Sequence, residues 1–387
     1  MGGAVSRTPA PRQGRVSRAG HRPIYRAMPF DARPQAPDAA PAEARNRRAV
    51  ARWLLAVAGL IWVMVTLGGA TRLTGSGLSI MEWAPLSGAL PPMSDAEWQR
   101  LYDLYRTIPQ YQLVNAGFGL EGFKGIFWLE WSHRFWGRLI GFVYAGGLAW
   151  FWLRGRIPAG YKPRLLLLLA LGGMQGLVGW IMVASGFEAD RTAVSPYRLV
   201  IHLMLALLLF AMVLWTALTL LRPGPAPAEA KSLRASLHAA AGLAMLTILA
   251  GGFVAGIRAG LDYNTFPLMD GRWVPEGYWR LTPLWQNLTQ NIAAVQFNHR
   301  LLATLTLAAA LFAAFRAQPL PAGRARHAAF ALLGAIVLQY ALGVATLLAV
   351  VPAWLGTLHQ AVAVLVLTAA ILALHATRRA ARPGAIA

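Results

Sequence analysis

Cysteine is missing from all 387 residues. Disulfides, thiolate metal sites, iron–sulfur clusters and a cysteine nucleophile are thereby excluded, and any metal must rely on His, Met or carboxylate ligands. Acid is scarce as well: 15 Asp and Glu face 36 Lys and Arg, for a formal charge of +21. Charged residues of both signs make up only 13% of the chain and 57% is hydrophobic, so the composition lies far from that of a soluble domain. What the sequence has in quantity is long apolar runs.

Eight stretches are long enough to cross a bilayer, which takes about 20 mostly apolar residues: 50–70, 134–153, 165–184, 199–221, 237–257, 292–315, 328–351 and 354–375. Barrel strands would instead show short alternating segments. The basic residues gather in alternate connections, 1–52, 154–164, 222–236, 316–327 and the tail after 376. Such a bias places these segments and both termini in the cytoplasm, and it reads the excess positive charge as topology rather than nucleic-acid binding. The expected fold is an all-α membrane protein of eight transmembrane helices, arranged as two pseudo-symmetric four-helix bundles. Residues 1–48 form an Arg/Pro/Ala-rich tail expected to be disordered. The expected location is the cell inner (plasma) membrane, multi-pass, with the active side towards the periplasm. An acid-poor, Arg-rich start also resembles an organelle transit peptide, which makes the mitochondrial inner membrane the alternative.

The stretch RPGPAPAEAKSLR (222–234) divides the apolar region. It separates an N-terminal half, 49–222, from a C-terminal half, 237–380, with 223–236 as linker. Matching positions recur in order. Gly68-Gly69, Arg72 and Gly77-Leu78 are echoed by Gly251-Gly252, Arg258 and Gly260-Leu261; His133-Arg134 by His299-Arg300; Gln175 and Gly179 by Gln339 and Gly343; His202 by His359. An even number of helices per half makes the repeat parallel, its axis along the membrane normal. Two long connections face outward, about 71–132 and 258–291, both rich in aromatics. In the first, SDAEWQRLYDLYR (94–106) predicts an interfacial helix, with Ser94 as cap and Glu97 closing a capping box.

His133, His202, His299 and His359 all open even-numbered helices at the outward end, two in each half. His21 lies in the tail, and His238, His327 and His375 fall at inward helix ends, where an imidazole is solvated. Two histidines per half, without cysteine or further carboxylates, suit zinc poorly. They suit haem, whose porphyrin supplies four nitrogens and leaves the protein one or two axial positions. Arg134 and Arg300 follow their histidines, and Arg72 and Arg258 lie at neighbouring helix ends, where guanidinium forks are expected to bind haem propionates.

Residues 127–138 read FWLEWSHRFWGR. Positions three apart share a helical face, so Glu130 is expected to point where His133 points, with pairing to Lys124 or Arg134 as the alternative. Three before His299 stands Gln296. One site keeps an ionisable group beside the expected iron and the other does not, as if one haem is acted upon and the other acts.

The segments EGFKGIFWLEWSHRFWGRLIG (121–141), TRLTGSGLSI (71–80) and NLTQNIAAVQFNHR (287–300), with the helices of His202 and His359, resemble the haem A synthase family across residues 50–375. That resemblance implies an oxidoreductase converting haem O to haem A by successive hydroxylation of the porphyrin C8 methyl and loss of water, ending in a formyl group. It implies haem b as resident cofactor, ligated by His299 and His359 in the C-terminal half with Arg300 and Arg258 beside it. It implies that His133 and His202, with Arg134 and Arg72, face the substrate porphyrin, and that Glu130 is the catalytic carboxylate. Two positions depart from the family: the outward cysteine pair of some members is absent, and Gln290 stands where an acid is expected. The implied partners are haem O, the farnesyltransferase that makes it (haem O synthase), membrane lipids and an electron-transfer partner the sequence does not identify. A homo-oligomer is one assembly the sequence allows. The runner-up reading is a two-haem membrane electron-transfer cytochrome, which would normally place its haems near both faces. A transporter, third, would bind near the midplane on broken helices.

Overall fold

The computed structural model of the chain describes residues 1–3, 39–85, 87–189, 191–226 and 228–378. Most of the tail expected over 1–48, His21 included, lies outside the described residues. Met1–Ala40 and Pro41–Ala387 form separate units, and the architecture below concerns the second. No strand occurs among the described residues; the chain is helices and turns.

The elements are α1 (Ala39–Leu73), α2 (Asp95–Tyr105), α3 (Pro109–Leu113), α4 (Leu120–Leu153), α5 (Lys162–Ala184), α6 (Pro196–Leu221), α7 (Arg234–Gly256), α8 (Ile292–Ala317), α9 (Arg324–Leu348) and α10 (Ala353–Ala376). Seven of them, α1 and α5 to α10, are long and apolar enough to cross a membrane, which makes the chain a multi-pass membrane protein. The eighth expected span belongs to α4. At 34 residues it is one residue shorter than α1, but its glycines, tryptophans and Arg138 dilute its apolar character.

Two expected boundaries are corrected. Helix α1 begins at Ala39, not at 49, because Pro41 falls in its first turn, Ala, Glu and Arg, good helix formers, dominate Ala42–Arg48, and Arg47 pairs with Glu43 one turn back at 3.2 Å. Helix α4 begins at Leu120, not at 134, so His133 sits well inside it. The extension survives Gly122 and Gly125, each costing roughly 0.5–1 kcal/mol relative to Ala. Phe123 and Phe127 are buried among Trp98, Tyr105, Ile108 and Leu78, and two buried Phe side chains stabilise by roughly 3–6 kcal/mol. Tertiary burial therefore outweighs propensity. Helix α2 is the expected interfacial helix. Ser94 accepts from the Glu97 amide at 3.3 Å, but the Glu97 carboxylate turns to Arg100 instead of closing the box.

Neighbours in sequence pack as neighbours in space: α5 against α6, α7 against α8, α8 against α9, α9 against α10, and α7 back onto α10. Trp53 of α1 donates to the Val143 carbonyl of α4, and Trp136 of α4 to the Leu60 carbonyl of α1. One core joins α1, α4, α5 and α6 and takes in Val364, Leu367 and Ile371 of α10; a second, alanine-rich core joins α7 to α10. Buried threonines return their hydroxyls to the carbonyl four residues back, as Thr71, Thr216 and Thr306 do, which removes the cost of a bare hydroxyl in hydrocarbon.

Candidate functional site

Each of the four histidines lies against a glycine of the preceding long helix. A Cβ built on Gly68 would stand 3.0 Å from Cε1 of His133; on Gly179, 2.8 Å from that of His202; on Gly251, 3.0 Å from that of His299; on Gly343, 3.0 Å from that of His359. Every one of these glycines stands five residues before the end of its helix, at Leu73, Ala184, Gly256 and Leu348. The four imidazoles therefore pack at the same register near the ends of four helices. They also fall in twos: His133 lies within electrostatic reach of His202, and His359 within that of His299. All four are half-buried.

Their ring nitrogens are treated differently. His299 Nδ1 lies 3.0 Å from the Thr247 carbonyl. A carbonyl only accepts, so Nδ1 carries the proton and Nε2 keeps its lone pair free for a metal. Gln175 Nε2 stands 3.2 Å from His202 Nδ1 and donates to the His202 carbonyl at 3.0 Å. Gln339 Nε2 is 3.3 Å from His359 Nε2. Nδ1 of His133 and of His359, and the amide oxygens of both glutamines, are buried without a partner.

Glu130 is buried, and its carboxylate turns to the segment after α1. One oxygen accepts from Ser79 Oγ at 2.7 Å and the Ile80 amide at 2.8 Å; the other accepts from Arg134 Nε at 3.0 Å and Nη2 at 2.6 Å. Arg134 goes on to the Glu82 and Ile80 carbonyls. Of the two expected pairings, Arg134 is the one made; Lys124 pairs with Glu121 at 2.7 Å. The second half repeats the arrangement without charge. Gln296 Nε2 donates to the Ala259 and Asp262 carbonyls, both at 2.6 Å, and its oxygen accepts from Arg300. Arg300 donates to the Thr265 and Tyr263 carbonyls. Arg134 and Arg300 thus spend most of their donors closing a backbone loop onto a helix. Nε of Arg300 stays buried and unpartnered, as does Nε of Arg72.

Arg72 reaches out of the first half to the α7 carbonyls of Ala255 and Gly256, at 3.0 and 3.1 Å. There it meets Arg258, close enough for the two charges to repel. Gln290, where an acid is expected, donates to the Tyr197 hydroxyl at 2.7 Å. A cavity of about 470 Å³ lies between α6, α7 and α10, bounded by Trp215, Met245, Leu374 and Arg164; it opens at the opposite end from the four histidines. Sequence reasoning assigned no role to Ser79, Thr247 or the four glycines. The glycines were visible as repeat matches, but their contact with imidazole was not.

The residues present fit a porphyrin. Among the described residues no three His, Asp or Glu side chains converge on one point; the imidazoles come in twos, the number an iron already held by four ring nitrogens requires. The orphaned ring nitrogens and unpartnered guanidinium N–H groups add unused capacity in the same region.

Fold and site together define a multi-pass helical membrane protein whose imidazoles fall in two pairs. Residues 51–371 match the COX15-CtaA family of cytochrome oxidase assembly proteins, and the chain belongs to that family. It is 58% identical to the heme A synthase of Granulibacter bethesdensis over 88% of this chain and 91% of that protein. Identity to the heme A synthase of Beijerinckia indica is 51%, over 86% and 94% of the two chains, and to that of Rhodospirillum centenum 49%, over 86% and 89%.

Proposed function

We propose that this chain is a haem A synthase, an oxidoreductase that converts the C8 methyl of haem O to a formyl group with the aid of a resident haem b. The observation that carries the reading is the set of four glycine-backed imidazoles, two by two within electrostatic reach, in a chain matching haem A synthases over most of its length. We place α4 as the eighth span and read the halves as a parallel repeat, with both termini on the cytoplasmic face and the histidines towards the periplasm of the inner membrane.

His299 and His359 are assigned to haem b and His133 and His202 to the substrate. The Thr247 carbonyl holds the His299 ring in one tautomer, as suits a permanent ligand, but each pair contains one ring whose Nδ1 lacks a protein partner, His133 and His359, so the division comes from the family resemblance. Haem b, when bound, supplies redox chemistry that no side chain possesses. The chain's own residues bind and orient. The free Nε groups of Arg72 and Arg300, with Arg258, suit propionate carboxylates. Glu130 would lie near the reacting edge, with three roles open to it: stabilising positive charge at the oxidised carbon, taking a proton, or orienting water. Four donors fill the four acceptor sites of its carboxylate, which favours a fixed negative charge over the other two. The farnesyl tail of haem O accounts for a catalyst buried in the membrane, since such a substrate arrives through lipid; the farnesyltransferase that makes it is the natural donor.

The test is to purify the protein from cells making haem O and to separate the extracted porphyrins by chromatography. Haem b together with haem O or haem A supports the synthase. Haem b alone supports the electron-transfer cytochrome, and absence of any haem defeats both.

A further inference from the structure

One turn before Gly68, Gly179, Gly251 and Gly343, on α1, α5, α7 and α9, stand Met64, Gln175, Thr247 and Gln339. Residues at this spacing share one face. At three of the four, the earlier residue contacts the ring through a polar atom, 3.0 to 3.3 Å away. At all four, the glycine lies under the ring.

Ordinary carbon contacts fall at about 3.5–4.0 Å. A methyl at these glycines would meet a ring carbon at 2.8 to 3.0 Å and Nδ1 at 3.3 to 3.7 Å. An imidazole is flat and rigid, so it can only make room by rotating about its side-chain torsions, which turns its nitrogens away. The same helices carry glycines that touch nothing: around Gly176, Gly242 and Gly334 an added Cβ finds no atom within 4 Å. Others, Gly69, Gly252 and Gly256, admit neighbours that are not imidazoles, so what sets the four apart is that the atoms nearest the added Cβ all belong to one histidine ring. Alanine would favour each helix by roughly 0.5–1 kcal/mol, so glycine at these positions is offset by the fit to the ring.

We propose that Gly68, Gly179, Gly251 and Gly343 are positioning residues that set the angle at which each imidazole is presented to iron. The proposal rests on the haem reading above. It also separates the sites: the rings of His202, His299 and His359 each have a polar contact besides the glycine, whereas Nδ1 of His133 has none.

The test uses the full-length protein, purified with its haem and compared by haem content and visible spectrum. Gly251→Ala and Gly343→Ala are expected to lose haem affinity about tenfold, the scale of changes around metal-binding histidines, and to weaken the six-coordinate, low-spin signature. Free imidazole added to these variants is expected to restore that signature, which no repair of packing would do. Gly242→Ala and Gly334→Ala, on the same helices, are expected to match wild type. The inference is overturned if Gly251→Ala and Gly343→Ala keep the wild-type spectrum, if the two controls change as much, or if only the controls fold. The haem reading fails separately, and the inference with it, if His299→Ala and His359→Ala retain wild-type haem.

Discussion

Gln360 Nε2 donates to the Val65 carbonyl at 2.7 Å, joining α10 to α1 one residue beyond His359. The same turn of α1 carries Gly68, under His133, and Gly69, whose missing side chain leaves room for the Gln360 amide. On α7, Gly251 lies under His299, and Gly252 faces Val200 and Leu203, which flank His202 on α6. In each Gly-Gly pair the first glycine serves its own half and the second admits the opposite half. A hydrogen bond between membrane helices contributes only about 0.6 kcal/mol on average, so its importance lies in register: one turn of α1 sets two histidines of different halves.

The Gln360–Val65 contact predicts non-additivity. Gln360→Ala removes the bond outright. Gly69→Ala places a methyl 2.6 Å from the Gln360 amide oxygen and displaces it. Each variant is expected to cost about 0.5–1.5 kcal/mol, and the double variant no more than the worse single one. Thermal unfolding of the four proteins in detergent checks this; simple addition of the two losses would show that the contact is not shared.

Glu130→Gln is expected to leave haem b bound while abolishing haem A formation. The amide preserves shape but faces Ser79, Ile80 and Arg134 with two donors among donors, a mismatch of about 1–3 kcal/mol at a buried site. Porphyrin extraction decides: wild-type haem A output from this variant would remove Glu130 from the mechanism.

Phe123→Ala and Phe127→Ala are expected to destabilise by roughly 3–5 kcal/mol each, because both rings are buried under the segment after α1. The damage should be local. Protease sensitivity is expected to rise within residues 71–119 while the alanine-rich core of α7 to α10 stays protected, and uniform unfolding would contradict a cluster around Phe123 packed apart from that core.

Arg100 binds Glu82 at 2.8 and 2.9 Å and Glu97 at 2.8 and 3.0 Å. Hydrogen bonds from Arg100 hold both carboxyls below the usual glutamate range. Carboxyls depressed by folding stabilise fully above their unfolded value, about pH 4.3, and the gain fades as pH falls through the lower folded values. The loop around α2 is therefore expected to resist proteolysis evenly from about pH 5 to 8 and to loosen below about pH 4. The groups are exposed, so the effect is small and should vanish in high salt. Loosening as pH rises would reverse the sign and refute it.

Much of the molecule is legible along the chain because a bilayer removes alternatives: a run of apolar residues in lipid must satisfy its own backbone, and the helix does so locally. Seven of the eight expected spans and the helix at 95–105 follow from such local rules. What the sequence could not supply is which surface each polar side chain would find. Glu130 shares a face with His133 by spacing, yet its carboxylate is captured by Ser79 and Ile80, fifty residues earlier. Arg134 and Arg300 meet carbonyls of loops whose path nothing local dictates. Helix α4 runs past its apolar segment because Phe123 and Phe127 are buried by a connection that folds back over them. Hydrophobicity and charge bias act on one segment at a time and are readable as such. Hydrogen bonds and ring contacts need two partners within a few ångströms, and only the packed chain brings the partners together.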